Sequence, residues 1–294
     1  MSDAAFNFQT LNPDVLLDAL WETGIRVESG LTALNSYENR VYQFSDDEKR
    51  RYVAKFYRPQ RWRAEQIAEE HQYALDLLAD EVPIAAPLRL KGETLHSHAG
   101  FFFAVFPSLG GRQYETDNED QMEWVGRFLG RIHQTGRKAL FRHRPAIGLD
   151  EYLHEPRQVL EHSLLVPASL KVALLQAIDK LGNTLQQQWH TTWQPLRLHG
   201  DCHPGNILWR DGPLFVDLDD ARNGPAVQDL WMLISGDRQE QRIQWDILLE
   251  AYSEFSDFDI NELSLIEPLR AMRMVYYLAW VVRRWQDPAF PRAF

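Results

Sequence analysis

His199-Gly200-Asp201-Cys202-His203-Pro204-Gly205-Asn206, followed shortly by Phe215-Val216-Asp217-Leu218-Asp219, is the stretch on which the reading of the whole chain turns. It offers a loop carboxylate at Asp201, an amide five residues on at Asn206 and a second carboxylate at Asp217. A base for an acceptor hydroxyl and two oxygen ligands for a cation are the groups that transfer of a magnesium-bound γ-phosphate requires.

Between the last two groups lie Ile207-Leu208-Trp209-Arg210 and Pro213-Leu214-Phe215-Val216, apolar-rich runs separated by Asp211-Gly212, a strong hairpin signal. Pairing about that turn sets Arg210 opposite Pro213 and, continued outward, Asn206 opposite Asp217. Their Cβ atoms are then expected about 5 Å apart. Such a gap suits magnesium, which takes one or two protein oxygens and completes its shell with phosphate and water. Pro213 cannot donate the innermost ladder bond, so the turn can open to four residues with the register unchanged. Strand alternation puts Asp219 on the same side as Asp217, as a candidate ligand for a second magnesium, and Asp220 on the other.

Upstream, Val53-Ala54-Lys55-Phe56-Tyr57 sets a lysine inside an apolar strand, where an unpaired ammonium is costly. Residues 61–79 read as a helix in which Glu70 shares a face with Ile67 and Ala74, so Glu70 is the expected partner of Lys55 and Glu69 the second choice. A third-strand lysine that pairs with a helix glutamate while holding α- and β-phosphates is a kinase arrangement. Asn35-Ser36-Tyr37-Glu38-Asn39 contains no glycine, so phosphate contact there falls to backbone amides and to Asn35, Asn39 or, preferred, Ser36. Phe106 to Leu109 is expected to offer backbone groups to an adenine edge. His199 reads as a brace for its own loop, and Asp229 as a buried acceptor for that loop's amides.

Around these residues the pattern is β-rich first and helical afterwards. A helix opened by Asn12 and Pro13 precedes strands at 26–34, 40–44, 51–57, 88–90 and 101–106. Helical patterns follow at 118–135, 148–162, 167–193, 225–234 and 261–285. The change at Pro107-Ser108-Leu109-Gly110-Gly111 suggests a nucleotide-binding lobe, 1–106, and a helical catalytic and substrate lobe, 107–294, together an α+β chain.

The 294 residues are 45% hydrophobic, enough for a sizeable core. No apolar run approaches the roughly 20 residues that cross a bilayer, and Met1-Ser2-Asp3-Ala4-Ala5 shows no secretory pattern. A cytoplasmic monomer with no membrane partner is therefore expected. The single cysteine, Cys202, excludes an intrachain disulfide framework. With 31 basic against 42 acidic residues, the net charge of −11 argues against non-specific nucleic-acid binding. Lys49-Arg50-Arg51, Arg58 to Arg63 and Arg142-His143-Arg144 read chiefly as solvated basic faces, with phosphate or substrate contact as the lesser reading.

The stretch from His199 to Asn206, the Asp217 segment and Asp229 near Trp231 resemble the aminoglycoside phosphotransferase and choline kinase-like group. Leu34 to Tyr42, Asp217 to Pro225 and Leu269-Arg270-Ala271-Met272-Arg273 are similar, within that group, to a bacterial serine/threonine kinase branch, and the likeness runs from Phe6 to the end. The resemblance implies a two-lobed protein-kinase-like fold and a cytoplasmic, ATP- and magnesium-dependent kinase of protein serine or threonine hydroxyls in stress response. It also implies that Asp201 accepts the proton, that Asn206 and Asp217 hold magnesium, that Ser36 contacts ATP, and that members extend somewhat beyond Phe294. A kinase of a small hydroxylated metabolite would use the same core, and sequence physics does not separate the two acceptors. A zinc hydrolase built on His199, Asp201 and His203 lacks further histidines at ligand spacing. A silent binding module would not need every catalytic group.

Overall fold

The computed structural model describes residues 8–189, 193–287 and 290. Its strands are β1 Thr32–Ala33, β2 Arg40–Ser45, β3 Arg51–Phe56, β4 His96–His98, β5 Phe101–Pro107, β6 Arg112–Gln113, β7 Leu196–Leu198, β8 Ile207–Trp209, β9 Pro213–Phe215 and β10 Arg222–Gly224. Its α-helices are α1 Pro13–Glu22, α2 Ala64–Ala79, α3 Glu119–Gly136, α4 Glu155–His162, α5 Ala168–Gln188, α6 Gln228–Trp231, α7 Arg238–Ser253 and α8 Ile266–Arg284. They form two compact units: the described residues up to 115 with 204–219, and 116–203 with those from 220 on. Neither unit is a continuous stretch of chain.

The first unit is built on an antiparallel sheet of order β1-β2-β3-β5-β4. Lys55 in β3 stands opposite Val41 in β2 and Ala104 in β5, so the lysine is carried by a central strand. Phe44, Phe56 and Phe103 are buried with Leu16 and Leu20 of α1, and the Phe56 and Phe103 rings stack 5.0 Å apart. Asn12 caps α1 by accepting a bond from the Val15 amide at 3.0 Å, with Pro13 at the first helical position. A second small sheet, β6-β8-β9, is tied to the segment after α2: the Phe215 amide donates to Pro83 O at 2.8 Å, and the Ala85 amide to Phe215 O at 2.9 Å.

Three expected elements of this unit differ. The strand expected at 26–34 is a Val27–Asp46 bridge and then β1, because the Glu28 and Ser29 amides both turn to Ser45 O and break the ladder. The helix expected from residue 61 starts at Ala64. Gln60, at φ +64°, turns the chain and leaves Arg61 in a loop. The strand expected at 88–90 keeps one sheet bond, Leu88 N to Val105 O at 2.7 Å, and the edge strand is β4 instead.

In the second unit α3 packs tightly along α7. A Cβ added to Gly126 would lie 2.7 Å from Leu248 O, and one added to Gly130 would lie 2.5 Å from Tyr252 O. These glycines let two backbones approach. Ile147, Leu196, Leu198, Val227, Leu265, Leu269 and Met272 form the main core of this unit. The helix expected at 148–162 is split by a π-turn at Asp150–His154, since Pro156 has no N–H to continue the regular ladder. The one expected at 225–234 shrinks to α6, whereas α7 was not expected at all. Its signature was present: Asp237 Oδ1 accepts the Gln239 and Glu240 amides at 2.8 and 3.0 Å, and Glu240 accepts the Asp237 amide at 2.8 Å, a capping box. Among the described residues no helix is long and apolar enough to cross a membrane.

Gly130→Ala is expected to cost about 2 kcal/mol of stability by forcing α3 away from α7. Urea unfolding with an unchanged m-value is the measurement, and wild-type stability in that variant would contradict the close packing.

Candidate active site

The loop of the ribbon that orders the site is one residue longer than Asp211-Gly212 alone predicts. Ile207 pairs with Phe215, Leu208 with Leu214 and Trp209 with Pro213. Arg210, Asp211 and Gly212 form a three-residue loop closed by Arg210 N to Gly212 O at 2.9 Å, with Asp211 at φ +59°. Pro213 explains the shift, because a two-residue turn would need the N–H that proline lacks. Asn206 therefore opposes Val216, whose amide donates to Asn206 O at 3.0 Å, and not Asp217. Asp217 stands just beyond the ladder at φ +63° and leads into a 3-10 turn at Leu218–Asp220. That turn replaces the strand alternation expected for Asp219.

Even so, Asp217 and Asp219 meet at one cation. Lys55 Nζ donates to Asp217 Oδ1 at 2.9 Å and lies 3.1 Å from Asp219 Oδ1 and 4.0 Å from Glu70 Oε1. Lys55, Glu70 and Asp219 are buried, whereas the Asp217 side chain is 52% exposed. Burial alone would lower the Lys55 pKa, but Asp217, Asp219 and Glu70 raise it well above the ordinary lysine range, so the ammonium stays charged.

Arg58 and Arg61, read as part of a solvated face, are instead only 11% and 10% exposed and engaged. Arg61 lies 2.5 Å from Asp219 Oδ2 and 3.6 Å from Glu38 Oε1. Arg58 Nε is 3.0 Å from Glu38 Oε1 and 2.8 Å from Glu38 O, its Nη2 donates to Tyr37 O at 3.0 Å, and its amide donates to Asn39 Oδ1 at 3.0 Å. The glycine-free loop between β1 and β2 is thus fastened by one arginine. Ser36 is half-buried immediately before that fastened segment. Phe106 sits in β5 opposite Val53, and Leu109 is exposed just after the strand.

The second unit carries Asp201. β7 pairs with β10 and delivers the chain into the His199-Gly200-Asp201 loop, where Gly200 has φ +86° and any side chain would strike Asp220 O. Asp229 holds this loop from α6, as expected: Oδ2 accepts the His199 amide at 2.7 Å and Oδ1 the Gly200 amide at 2.8 Å. Sequence reading missed the third donor. His133 Nε2 lies 3.1 Å from Asp229 Oδ2, and its Nδ1 lies 2.8 Å from the Tyr252 hydroxyl. Burial keeps His133 below its usual pKa, hence neutral, so Nε2–H donates to the carboxylate and Nδ1 accepts from the tyrosine. Only the spacing of a histidine on the inner face of α3 pointed to it. Cys202 is buried beside the loop.

Arg273 of α8 lies 2.6 Å from Asp201 Oδ1, and His203 Nε2 lies 3.5 Å from Oδ2. Burial would raise the Asp201 pKa, but His203 and the Arg273 guanidinium outweigh it and hold the carboxyl well below the usual range. Such a carboxylate is a weak base and a good orienting acceptor. Arg144, also read as solvated, is buried and donates to Ala221 O at 2.5 Å.

A family model described as the phosphotransferase enzyme family matches residues 30–266. Stress response kinase A of Escherichia coli is 66% identical over 294 residues, all of this chain and 90% of that protein. The serine/threonine protein kinase RdoA of Salmonella typhimurium is 65% identical with the same coverage. Among solved structures, amicoumacin kinase hAmiN superposes with a TM-score of 0.76 at 20% identity, covering 92% of this chain and 86% of its own. Choline kinase LicA from Streptococcus pneumoniae gives 0.65 at 15%, covering 95% and 96%. The fold is that of these kinases, α+β with a sheet unit and a helical unit.

Asp229→Asn is expected to lose about 3 kcal/mol, because an amide nitrogen would face a backbone N–H in a buried site. Thermal and urea unfolding measure this, and a loss under 1 kcal/mol would show that the loop does not depend on the carboxylate.

Proposed function

This chain belongs to the phosphotransferase enzyme family and is an ATP-dependent kinase, and we propose that it transfers the γ-phosphate, with magnesium, to serine or threonine hydroxyls of cytoplasmic proteins in a stress response. The charged Lys55 buried among Asp217, Asp219 and Glu70 carries the phosphotransfer reading. The serine/threonine kinase name borne by a relative 65% identical along the whole chain supports a protein acceptor.

Lys55 binds the α- and β-phosphates, with Glu70 keeping its ammonium in line. Ser36 and the amides of its loop meet the phosphates from the sheet side, and the backbone from Phe106 to Leu109 takes the adenine edge. The donors fit magnesium: Asp217 is a hard oxygen ligand half open to solvent, and the Asn206 amide is a second. When bound, the ion neutralises charge on the transferring phosphoryl group. Asp201, kept ionised, orients the acceptor hydroxyl and takes its proton late in transfer. The protein acts as a monomer.

Arg273 and His203 beside Asp201 favour neutral or acidic surroundings for the acceptor hydroxyl. A cationic amino alcohol would bring an ammonium toward a fixed guanidinium, a like-charge contact that costs affinity.

With radiolabelled ATP, peptides carrying acidic residues beside serine or threonine are expected to outperform basic-flanked ones by about tenfold in kcat/KM. Arg273→Glu should reverse that order, and Asp217→Ala should lower turnover on the order of a thousandfold. Label found only on metabolites would overturn the protein-kinase assignment.

A further inference from the structure

We propose that Arg61 supplies at Asp219 the positive charge that a second divalent ion would otherwise bring, so that transfer in this chain runs on one metal ion. The inference rests on the phosphotransfer reading in which Asn206 and Asp217 hold that ion.

Each oxygen of Asp219 faces a cation of the chain itself. Oδ1 lies 3.1 Å from Lys55 Nζ, and Oδ2 lies 2.5 Å from Arg61. A magnesium ligand must turn an oxygen lone pair to the ion, and here both oxygens are turned to fixed positive charges. Nor is Arg61 a surface side chain free to swing away. Its guanidinium lies 5.3 Å from the Trp62 ring centre and 3.6 Å from Glu38, and Glu38 is itself anchored 3.0 Å from Arg58. Guanidinium does not lose its proton, so this charge cannot be titrated away at any working pH. A divalent ion on Asp219 would sit within a few ångströms of two such cations in a buried setting, where repulsion is poorly screened.

Asp217 differs in the respect that matters. Its side chain is 52% exposed and it meets Lys55 through Oδ1, whereas Asp219 is buried. One carboxylate is therefore suited to an exchangeable ion and the other to a permanent one. The sequence builds this through the left-handed turn at Gln60, which holds Arg61 out of α2. The same guanidinium also joins the β1–β2 loop, through Glu38, to the segment that carries Asp217.

The test counts ions directly. Free Mn2+ is followed by electron paramagnetic resonance while the full chain is titrated with Mn2+ and a non-hydrolysable ATP analogue. One bound Mn2+ per chain is expected for the wild type and for Arg61→Lys, and two for Arg61→Ala. Arg61→Gln, neutral but of similar reach, should also bind two and serves if the alanine variant fails to fold. Two ions on the wild type, or one on both neutral variants, would overturn the proposal while leaving Asp217 as a metal ligand. No Mn2+ bound by any form would overturn the metal reading together with it.

Discussion

A charged ammonium inside a sheet cannot stand alone, and that constraint at Lys55 orders the first unit. β3 supplies the lysine from a central position, α2 turns Glu70 toward it, and the ribbon β8-β9 ends so that Asp217 and Asp219 arrive at the same nitrogen. Removing water from one charge costs more than a typical hydrogen bond returns, so three carboxylates around one cation, with Arg61 behind them, form a set that is stable together and unstable in part. Elements distant in sequence are thereby held at one point without any glycine-rich loop.

The second unit solves the inverse problem with a buried anion. Asp229 collects the His199 and Gly200 amides and the His133 imidazole, and His133 is fixed in turn by Tyr252 of α7. Because α3 and α7 approach through Gly126 and Gly130, the ring and the hydroxyl come within bonding distance. Helix packing thus reaches the His199-Gly200-Asp201 loop by way of a chain of hydrogen bonds. The two candidate carboxylates share a pattern as well. Asp217 is matched to Lys55 and Asp201 to Arg273, so each is paired with a cation from its own unit.

Much of this was legible in residue types and little of it in geometry. Lys55, Asp217 and the support from Asp229 could be read because each is a polar group in an apolar run, and such a group demands a partner, while Glu70 could be read from the helix face it shares with Ile67 and Ala74. The ribbon register could not, since it depends on whether Pro213 or Gly212 closes the turn, a choice settled by one missing N–H. Arg58, Arg61 and Arg144 looked solvated because a run of basic residues carries no sign of what lies opposite it. Their partners, Glu38, Asp219 and Ala221, are remote in sequence. Helix α7 was missed although Asp237 and Glu240 spelled its start, because its polar surface obscured the period.

The charge distribution resolves an apparent contradiction between composition and chemistry. A chain of net charge −11 should repel a nucleotide polyphosphate, yet Lys49 to Arg63 contains seven basic residues and no acidic one. At physiological ionic strength the field of distant surface carboxylates fades within about 8 Å, so the local set decides what binds. Within that set Arg58 is positioned by the Tyr37 and Glu38 carbonyls and by the Glu38 carboxylate, which it shares with Arg61, so one carboxylate there meets two guanidinium charges. Lys55 by contrast faces Asp217, Asp219 and Glu70, three carboxylates to one ammonium, so this cluster is not cationic by itself. A polyphosphate at Lys55 would therefore need a divalent cation to offset these carboxylates, so the acidic groups of the cluster favour a metal-bound nucleotide over a bare one.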